Sequence, residues 1–120
     1  MPTHEDWLED AILQTTWTLP LTSDDLLHCF IALAEKIDKA ETPIHVLFDI
    51  NNAGSISVEA PLLAIRSRFM TKANTGRIAV IGTHTIPQML ADVATKVTKK
   101  EIRFFRDRET ALNYLHDVHD

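Results

Sequence analysis

The chain has 120 residues, 45% of them hydrophobic, and its 12 basic and 17 acidic side chains give a formal net charge of −5. A chain of this length buries roughly two thirds of its unfolded surface in one core, so we expect a single domain over residues 1–120 and no second domain within them. No apolar run approaches the roughly 18 residues of a membrane span, and the acidic N-terminus lacks the basic start of a secretory signal, so we expect a cytoplasmic protein without a membrane span.

The charge is distributed unevenly between the two halves of the chain. Residues 1–60 carry 2 basic and 11 acidic side chains, whereas residues 61–120 carry 10 basic and 6 acidic ones. The basic residues are dispersed among apolar positions, whereas a nucleic-acid backbone requires a contiguous basic surface. The pattern therefore argues against nucleic-acid binding and favours pairing with another protein.

The first third of the chain predicts a hairpin and a helix. Polar and apolar residues alternate over 11–19, which is typical of a half-buried strand, and Trp7 and Leu8 belong to an earlier strand that pairs with it. Residues 22–25 offer helix-capping oxygens and carboxylates, and apolar residues then recur at helical spacing from Leu26 to Ile37. A first long helix is expected there.

The rest of the chain alternates between strands and helices. Residues 44–50 are apolar at nearly every position, as in a strand that is covered on both faces. The further predicted elements are a helix over 57–70, a strand over 78–81, a helix opening at Thr85, a strand over 102–105 and a final helix after Asp107. This alternation predicts an α/β fold: a single small domain with a mixed four- to five-stranded sheet, an N-terminal antiparallel hairpin and flanking helices.

Polar loops follow two neighbouring strands of the predicted sheet. Ligands of open α/β sheets collect beyond the carboxyl ends of the strands, and parallel strands place these ends at the same edge. The same residue types also serve turns and helix caps for backbone reasons alone. The candidate residues for binding a ligand or a partner are Asp49, Asn51, Asn52, Ser55, Ser57, Thr83, His84 and Thr85.

Two catalytic interpretations of this edge lack necessary residues. Asp49, Ser55 or Ser57, and His84 have the residue types of a hydrolase triad, but the sharp turn at the nucleophile needs flanking glycines, and only Gly54 is near. A phosphoacceptor domain would need an acidic pair after its first strand and a lysine after its last, to hold a metal and the phosphoryl group. Residues 16–20 and 105–107 supply neither. We therefore predict a protein that is not an enzyme and uses no cofactor.

The remaining reactive residue types suggest no metal site. His116 and His119 have i, i+3 spacing on the final helix, but no cysteine or third distant ligand joins them, so solvent-exposed side chains are expected. Cys29 is expected to be a small buried hydrophobe. Histidines without an evident partner in the sequence are His4, His28 and His45.

Four segments together resemble the stage II sporulation protein AA-like family. They read "LTSDDL", "PIHVLFDI", "GRIAVIG" and "EIRFFRDRETALNYL", and the likeness spans nearly the whole chain. That family is related to STAS domains, which occur in anti-sigma factor antagonists and on sulfate transporters. The resemblance implies a STAS-like fold, a bacterial source and a regulatory role.

The resemblance also implies a phosphorylation position. In antagonist STAS proteins, a serine at the start of the helix after the central strand is phosphorylated, and Ser57, or less well Ser55, corresponds by position. A phosphate there adds close to two negative charges, which a helix N-terminus accommodates. The segment reads "NNAGSISVEAP" and departs from the Asp-Ser-x-Gly core of those proteins, with Glu59 and Pro61 at the helix start.

Two functions are consistent with these features. The first is a non-enzymatic regulatory module that contacts a protein partner through the polar edge loops. The alternative is a carrier or sensor of a small apolar, lipid-like ligand held between the sheet and the helices, an idea that similarity to lipid-carrier domains suggests. A homodimer is compatible with either function.

Overall fold

The fold is a five-stranded mixed sheet with helices on both sides. A computed structural model describes residues 3–9, 11–18, 22–53, 63, 66–69, 72–82 and 102–116. The elements in these ranges are β1 (Thr3–Glu9), β2 (Ile12–Thr18), α1 (Ser23–Asp38), β3 (Ile44–Asn52), β4 (Thr75–Ile81), β5 (Ile102–Phe105) and α2 (Arg108–His116). The strand order follows the chain, with β1 antiparallel to β2 and every other neighbouring pair parallel. The predicted α/β fold with an N-terminal hairpin is confirmed.

Two predicted helices fall largely outside the described residues. Of the helix predicted over 57–70, the structure describes Leu63 and residues 66–69, and it buries both Leu63 and Phe69 in the core. The helix predicted to open at Thr85 lies entirely outside the described ranges.

Helix α1 begins at a capping box. The hydroxyl of Thr22 accepts a hydrogen bond from the backbone N–H of Asp25 at 3.2 Å, and the Asp25 carboxylate accepts one from the backbone N–H of Thr22 at 3.0 Å. The Thr22 backbone N–H, and then its hydroxyl, hold the pKa of Asp25 below its usual value. The helix-start prediction at residues 22–25 is thereby confirmed.

Successive side chains of each strand point to opposite faces of the sheet, and each face has its own core. On the first face, defined as the side of α1, Leu13 and Phe48 pack with buried residues of that helix. On the second face, defined as the side of α2, Leu47 and Ile81 pack against Leu115. The strands β2, β3 and β4 therefore lie between two apolar layers.

The prediction of a half-buried β2 is wrong. Leu13 is buried on the first face and Ile12 on the second, and even Gln14 and Thr15 are buried. The physical reason is the position of β2 between β1 and β3, where Leu13 joins the α1 core and Ile12 joins the α2 core. The alternation of residue types therefore shows which side chains share a face of β2, but it does not mark one face as exposed to solvent.

Candidate functional site

The carboxyl end of β3 carries three of the predicted site residues in one turn. The Asp49 Oδ1 atom accepts hydrogen bonds from the backbone N–H and from the side-chain Nδ2 of Asn51, both at 3.1 Å. Asp49 is half-buried, whereas Asn51 and Asn52 are exposed. The carboxylate thus fixes the turn and holds the Asn51 amide at the surface, and the exposed Asn52 follows it at the end of β3.

The exits of β3 and β4 lie side by side, as the sequence predicts. Asp49 is in register with Ile81, and Gly82 follows directly with a φ of 154°. A Cβ atom at position 82 would lie 2.7 Å from the Cγ1 atom of Ile50 and 3.4 Å from the backbone nitrogen of Asn51. Only glycine accommodates this close approach, which brings the two strand ends together.

The other predicted site residues lie outside the described ranges. The structure brings together Asp49, Asn51 and Asn52, and it does not describe Ser55, Ser57, Thr83, His84 or Thr85. The expected absence of a hydrolase triad and phosphorylation at Ser57 therefore stay predictions.

A second group of polar residues, which sequence reasoning missed, lies on the second face near the same edge. Asp6 of β1 pairs with Gln14 of β2, and His4 pairs with Thr16. Thr16 in turn pairs with Asp49 of β3. We call these five residues the second-face polar patch; it spans three adjacent strands.

Gln14 lies at the floor of the second-face polar patch. It is only 7% exposed, and its Nε2 atom donates a hydrogen bond to the Thr16 hydroxyl at 2.9 Å. Its Oε1 atom is buried and has no hydrogen-bond partner among the described residues. A buried polar atom left unpaired costs about 1–3 kcal/mol, so this acceptor stands out in an otherwise well-paired sheet.

The rim of the patch is accessible. The side chains of His4 and Asp6 are 69% and 56% exposed, and the His4 Nε2 atom lies 3.1 Å from the Asp6 carboxylate. The expectation that His4 has no partner is thereby corrected, because its partner is two positions away on the same face of an edge strand.

Aromatic rings pack between α1 and the sheet on the first face. Phe30 stacks on Phe69 with ring centroids 5.4 Å apart, and the edges of Trp17 and Phe48 meet the same group at 5.5–6.2 Å. All four side chains are buried. Carriage of an apolar ligand stays a prediction, as does the homodimer.

Cys29 lies beside this aromatic group and is a thiol at neutral pH. Its Sγ atom is 3.3 Å from the Thr15 hydroxyl, which also accepts a hydrogen bond from the Trp17 indole at 3.2 Å. Burial raises the pKa of Cys29 to about 11. The expectation of a buried, unreactive small hydrophobe agrees with this geometry.

The opposite edge of the sheet holds a group that links β3, β4 and α2. The Nδ1 atom of His45 accepts a hydrogen bond from the backbone N–H of Arg77 at 2.8 Å, so the expectation that His45 lacks a partner is wrong. The Arg77 guanidinium lies 4.7 Å from the centre of the Tyr114 ring and donates to the Tyr114 carbonyl oxygen at 2.8 Å. These contacts close the end of α2 onto the sheet.

His116 also takes part in a contact within the fold. Its Nε2 atom pairs with the Glu9 carboxylate, which ties the end of α2 to the hairpin. The expectation that His116 is solvent-exposed holds, and His119 lies outside the described residues.

Within the described ranges, no three His, Cys, Asp or Glu side chains are grouped as a metal site. No helix among the described residues is long and apolar enough to cross a membrane.

Comparisons with known proteins agree with this architecture. The SpoIIAA-like family model matches residues 12–116. The crystal structure of an uncharacterized protein of the DUF3478 family from Shewanella loihica PV-4, described as having a SpoIIAA-like fold, is similar with a TM-score of 0.65. The two chains are 24% identical, and the match covers 94% of this chain and 91% of that one. No curated protein matches.

Proposed function

This chain belongs to the SpoIIAA-like family, and we propose that it is a non-catalytic module that binds a protein partner through the polar end of β3. The observation that carries the proposal is the turn in which Asp49 fixes Asn51, beside the exposed Asn52. A strand buried on both faces holds this turn in place. Binding through a pre-ordered surface loses little conformational entropy, which favours recognition of a partner.

The Asp49 carboxylate has a positioning role in this proposal. Its Oδ1 atom already accepts two hydrogen bonds from Asn51, so the group organises the turn. The amides of Asn51 and Asn52 can donate and accept hydrogen bonds, as interface residues commonly do. The residues that complete the proposed surface, as the sequence predicts it, are Ser55, Ser57, Thr83 and His84.

Phosphorylation at Ser57 is the proposed control of this surface. A phosphate adds close to two negative charges, and the partner-binding segment already includes Asp49. Partner binding should therefore change more for Ser57→Asp, which adds a negative charge, than for Ser57→Ala in unphosphorylated protein. Phosphosite mapping by mass spectrometry of the chain isolated from its own cells tests whether Ser57 carries the group.

The direct test compares capture of partners by two variants with the same chemical change. Asn52→Arg places a long cation on the proposed surface, and Asn113→Arg places one on the exposed side of α2. We expect the wild-type chain and Asn113→Arg to retain the same saturable partner from source-cell lysate, and Asn52→Arg to lose it. Equal retention by both variants, or no saturable partner for the wild-type chain, would contradict the proposal.

A further inference from the structure

The second-face polar patch, defined above as His4, Asp6, Gln14, Thr16 and Asp49, groups hydrogen-bonding side chains from three neighbouring strands, among them the acceptor Gln14 Oε1 and two carboxylates. Its residues are placed by register: Asp6 is opposite Gln14, and Thr16 lies between His4 and Asp49. Neighbouring strands are about 4.8 Å apart, so the patch is roughly 10 Å wide. A single extended polar group can contact two of these strands at once.

The buried Gln14 amide provides the strongest indication that the patch receives a ligand. One end of the amide is engaged, because Nε2 donates to the Thr16 hydroxyl at 2.9 Å. The other end, Oε1, is buried and has no partner in the described part of the chain. Because Nε2 donates to Thr16, two residues further along β2, the nitrogen end of the amide faces the half-exposed Thr16. An acceptor held in this way is suited to a donor supplied by another molecule.

The charges around Gln14 favour a cationic donor. The Asp6 and Asp49 carboxylates lie on the strands that flank β2, and residues 1–60 carry 11 acidic but only 2 basic side chains. The His4 imidazole contacts one side of Asp6 at 3.1 Å, but both side chains are more than half exposed. Exposed side chains change rotamer within nanoseconds, so this pair can open for an incoming group.

From this arrangement we propose that the second-face polar patch binds the guanidinium group of an arginine side chain in a partner polypeptide. Arginine presents five N–H donors in a rigid plane, whereas the lysine ammonium is a compact point charge. A planar fork has separate N–H donors for the Gln14 Oε1 atom and for a carboxylate on a neighbouring strand, whereas an ammonium directs its donors from a single point. This inference rests on the proposed function as an interaction module and adds the chemistry of the partner.

The test is a titration of the full chain with three blocked pentapeptides, monitored by two-dimensional amide NMR. The probes are acetyl-Gly-Arg-Gly-Arg-Gly-amide and its lysine and citrulline analogues, the last of which keeps the shape of arginine without its charge. We expect the arginine peptide to shift the Gln14 side-chain amide and the backbone amides of Thr16 and Asp49. The lysine peptide should bind several-fold more weakly, and the citrulline peptide about tenfold more weakly.

Variants separate a specific site from general attraction between opposite charges. Asp49→Asn removes a charge but keeps the oxygen that accepts from Asn51, and Glu35→Gln removes the same charge from the exposed side of α1. The first should weaken binding of the arginine peptide by about fivefold to tenfold, and the second should leave it unchanged. Gln14→Leu should also abolish the selectivity for arginine, while stability stays equal to that of the wild type or rises, because a buried unpaired acceptor is removed.

Three results would overturn the inference. They are the absence of shifts at the patch, equal binding of the arginine and citrulline peptides, and equal weakening by Glu35→Gln and Asp49→Asn. Failure of this inference is distinguishable from failure of the proposed function. A partner captured by the wild-type chain, together with no response to the arginine peptide, removes the arginine site and keeps the interaction module. Selective arginine binding without any captured partner keeps the arginine site and removes the interaction module.

Discussion

The His45 Nδ1 atom accepts a hydrogen bond from the backbone N–H of Arg77 at 2.8 Å, which joins β3 to β4 at the edge opposite the strand exits. The acceptor nitrogen must carry no proton for this bond to form. The imidazole also lies against Gly76, where a Cβ atom would be 2.3 Å from Nδ1. The position of the His45 ring between β3 and β4 thus requires an unprotonated Nδ1 atom and a glycine at position 76.

Gly76→Ala is expected to destabilise the fold by about 1–3 kcal/mol, because the added methyl group overlaps the His45 ring. Urea unfolding followed by tryptophan fluorescence measures the loss. His45→Ala removes the overlap, so the double variant should be more stable than the sum of the two single changes predicts. A Gly76→Ala protein as stable as the wild type would show that the ring is not held where the structure places it.

The free energy of unfolding should depend on pH through His45. Burial, and then the nearby Arg77 and His116, lower the pKa of His45 below its ordinary value of 6.5. The unfolded chain then binds the proton at a higher pH than the folded chain does. This contribution to stability is complete above about pH 6.5 and is lost as the pH falls through that value toward the pKa of the folded state.

Urea titrations between about pH 5 and 7.5 measure this dependence while the carboxylates stay ionised. His45→Gln offers a side-chain oxygen to the Arg77 N–H and cannot be protonated, so its stability should vary less over this range. His28→Gln changes an exposed histidine of α1 and should retain the wild-type slope. The same slope in all three proteins would be inconsistent with a role for His45.

Phe69→Ala should be among the most damaging changes on the first face. Phe69 is fully buried, stacks on Phe30 at 5.4 Å and meets the edge of Phe48 at 6.0 Å. Its truncation should cost about 3–5 kcal/mol. Phe105→Ala, at a half-buried position on the second face, serves as the matched control and should cost clearly less in the same denaturation experiment.

Cys29 should remain unmodified in the native protein. The residue is 1% exposed, and burial raises the pKa of its thiol to about 11. A chromogenic disulfide reagent should therefore release no colour in buffer and one equivalent in concentrated urea. Rapid modification of the folded protein would mean that the region around Thr15 and Trp17 opens easily.

Local patterns were sufficient to predict the apolar strands and the first helix. The apolar run of β3 and the capping residues before α1 carry a signal within a few positions. The extent of β1 was not predictable in this way, because residues 3–6 are all polar and lie on an edge strand. Hydrophobic periodicity does not mark an element whose side chains stay exposed.

The candidate site also contains residues that could be predicted from local sequence and contacts that could not. Asp49, Asn51 and Asn52 follow a recognisable strand, so their common turn could be predicted from the sequence. The pairing of Asp6 with Gln14 depends on the hairpin register, and a slip of one residue would move the side chains of β1 to the other face of the sheet. Similarly, the partner of His45 is a backbone group 32 positions away. Such contacts are properties of the assembled sheet.

The most direct test of the central claim is photo-crosslinking inside the source cells. A photoreactive phenylalanine analogue is placed at position 52, at the end of β3, and in a second protein at position 113, on the exposed side of α2. The proposed function predicts a defined crosslinked protein for position 52 and none for position 113. No adduct at position 52, or the same adducts at both positions, would contradict a partner-binding surface at the polar end of β3.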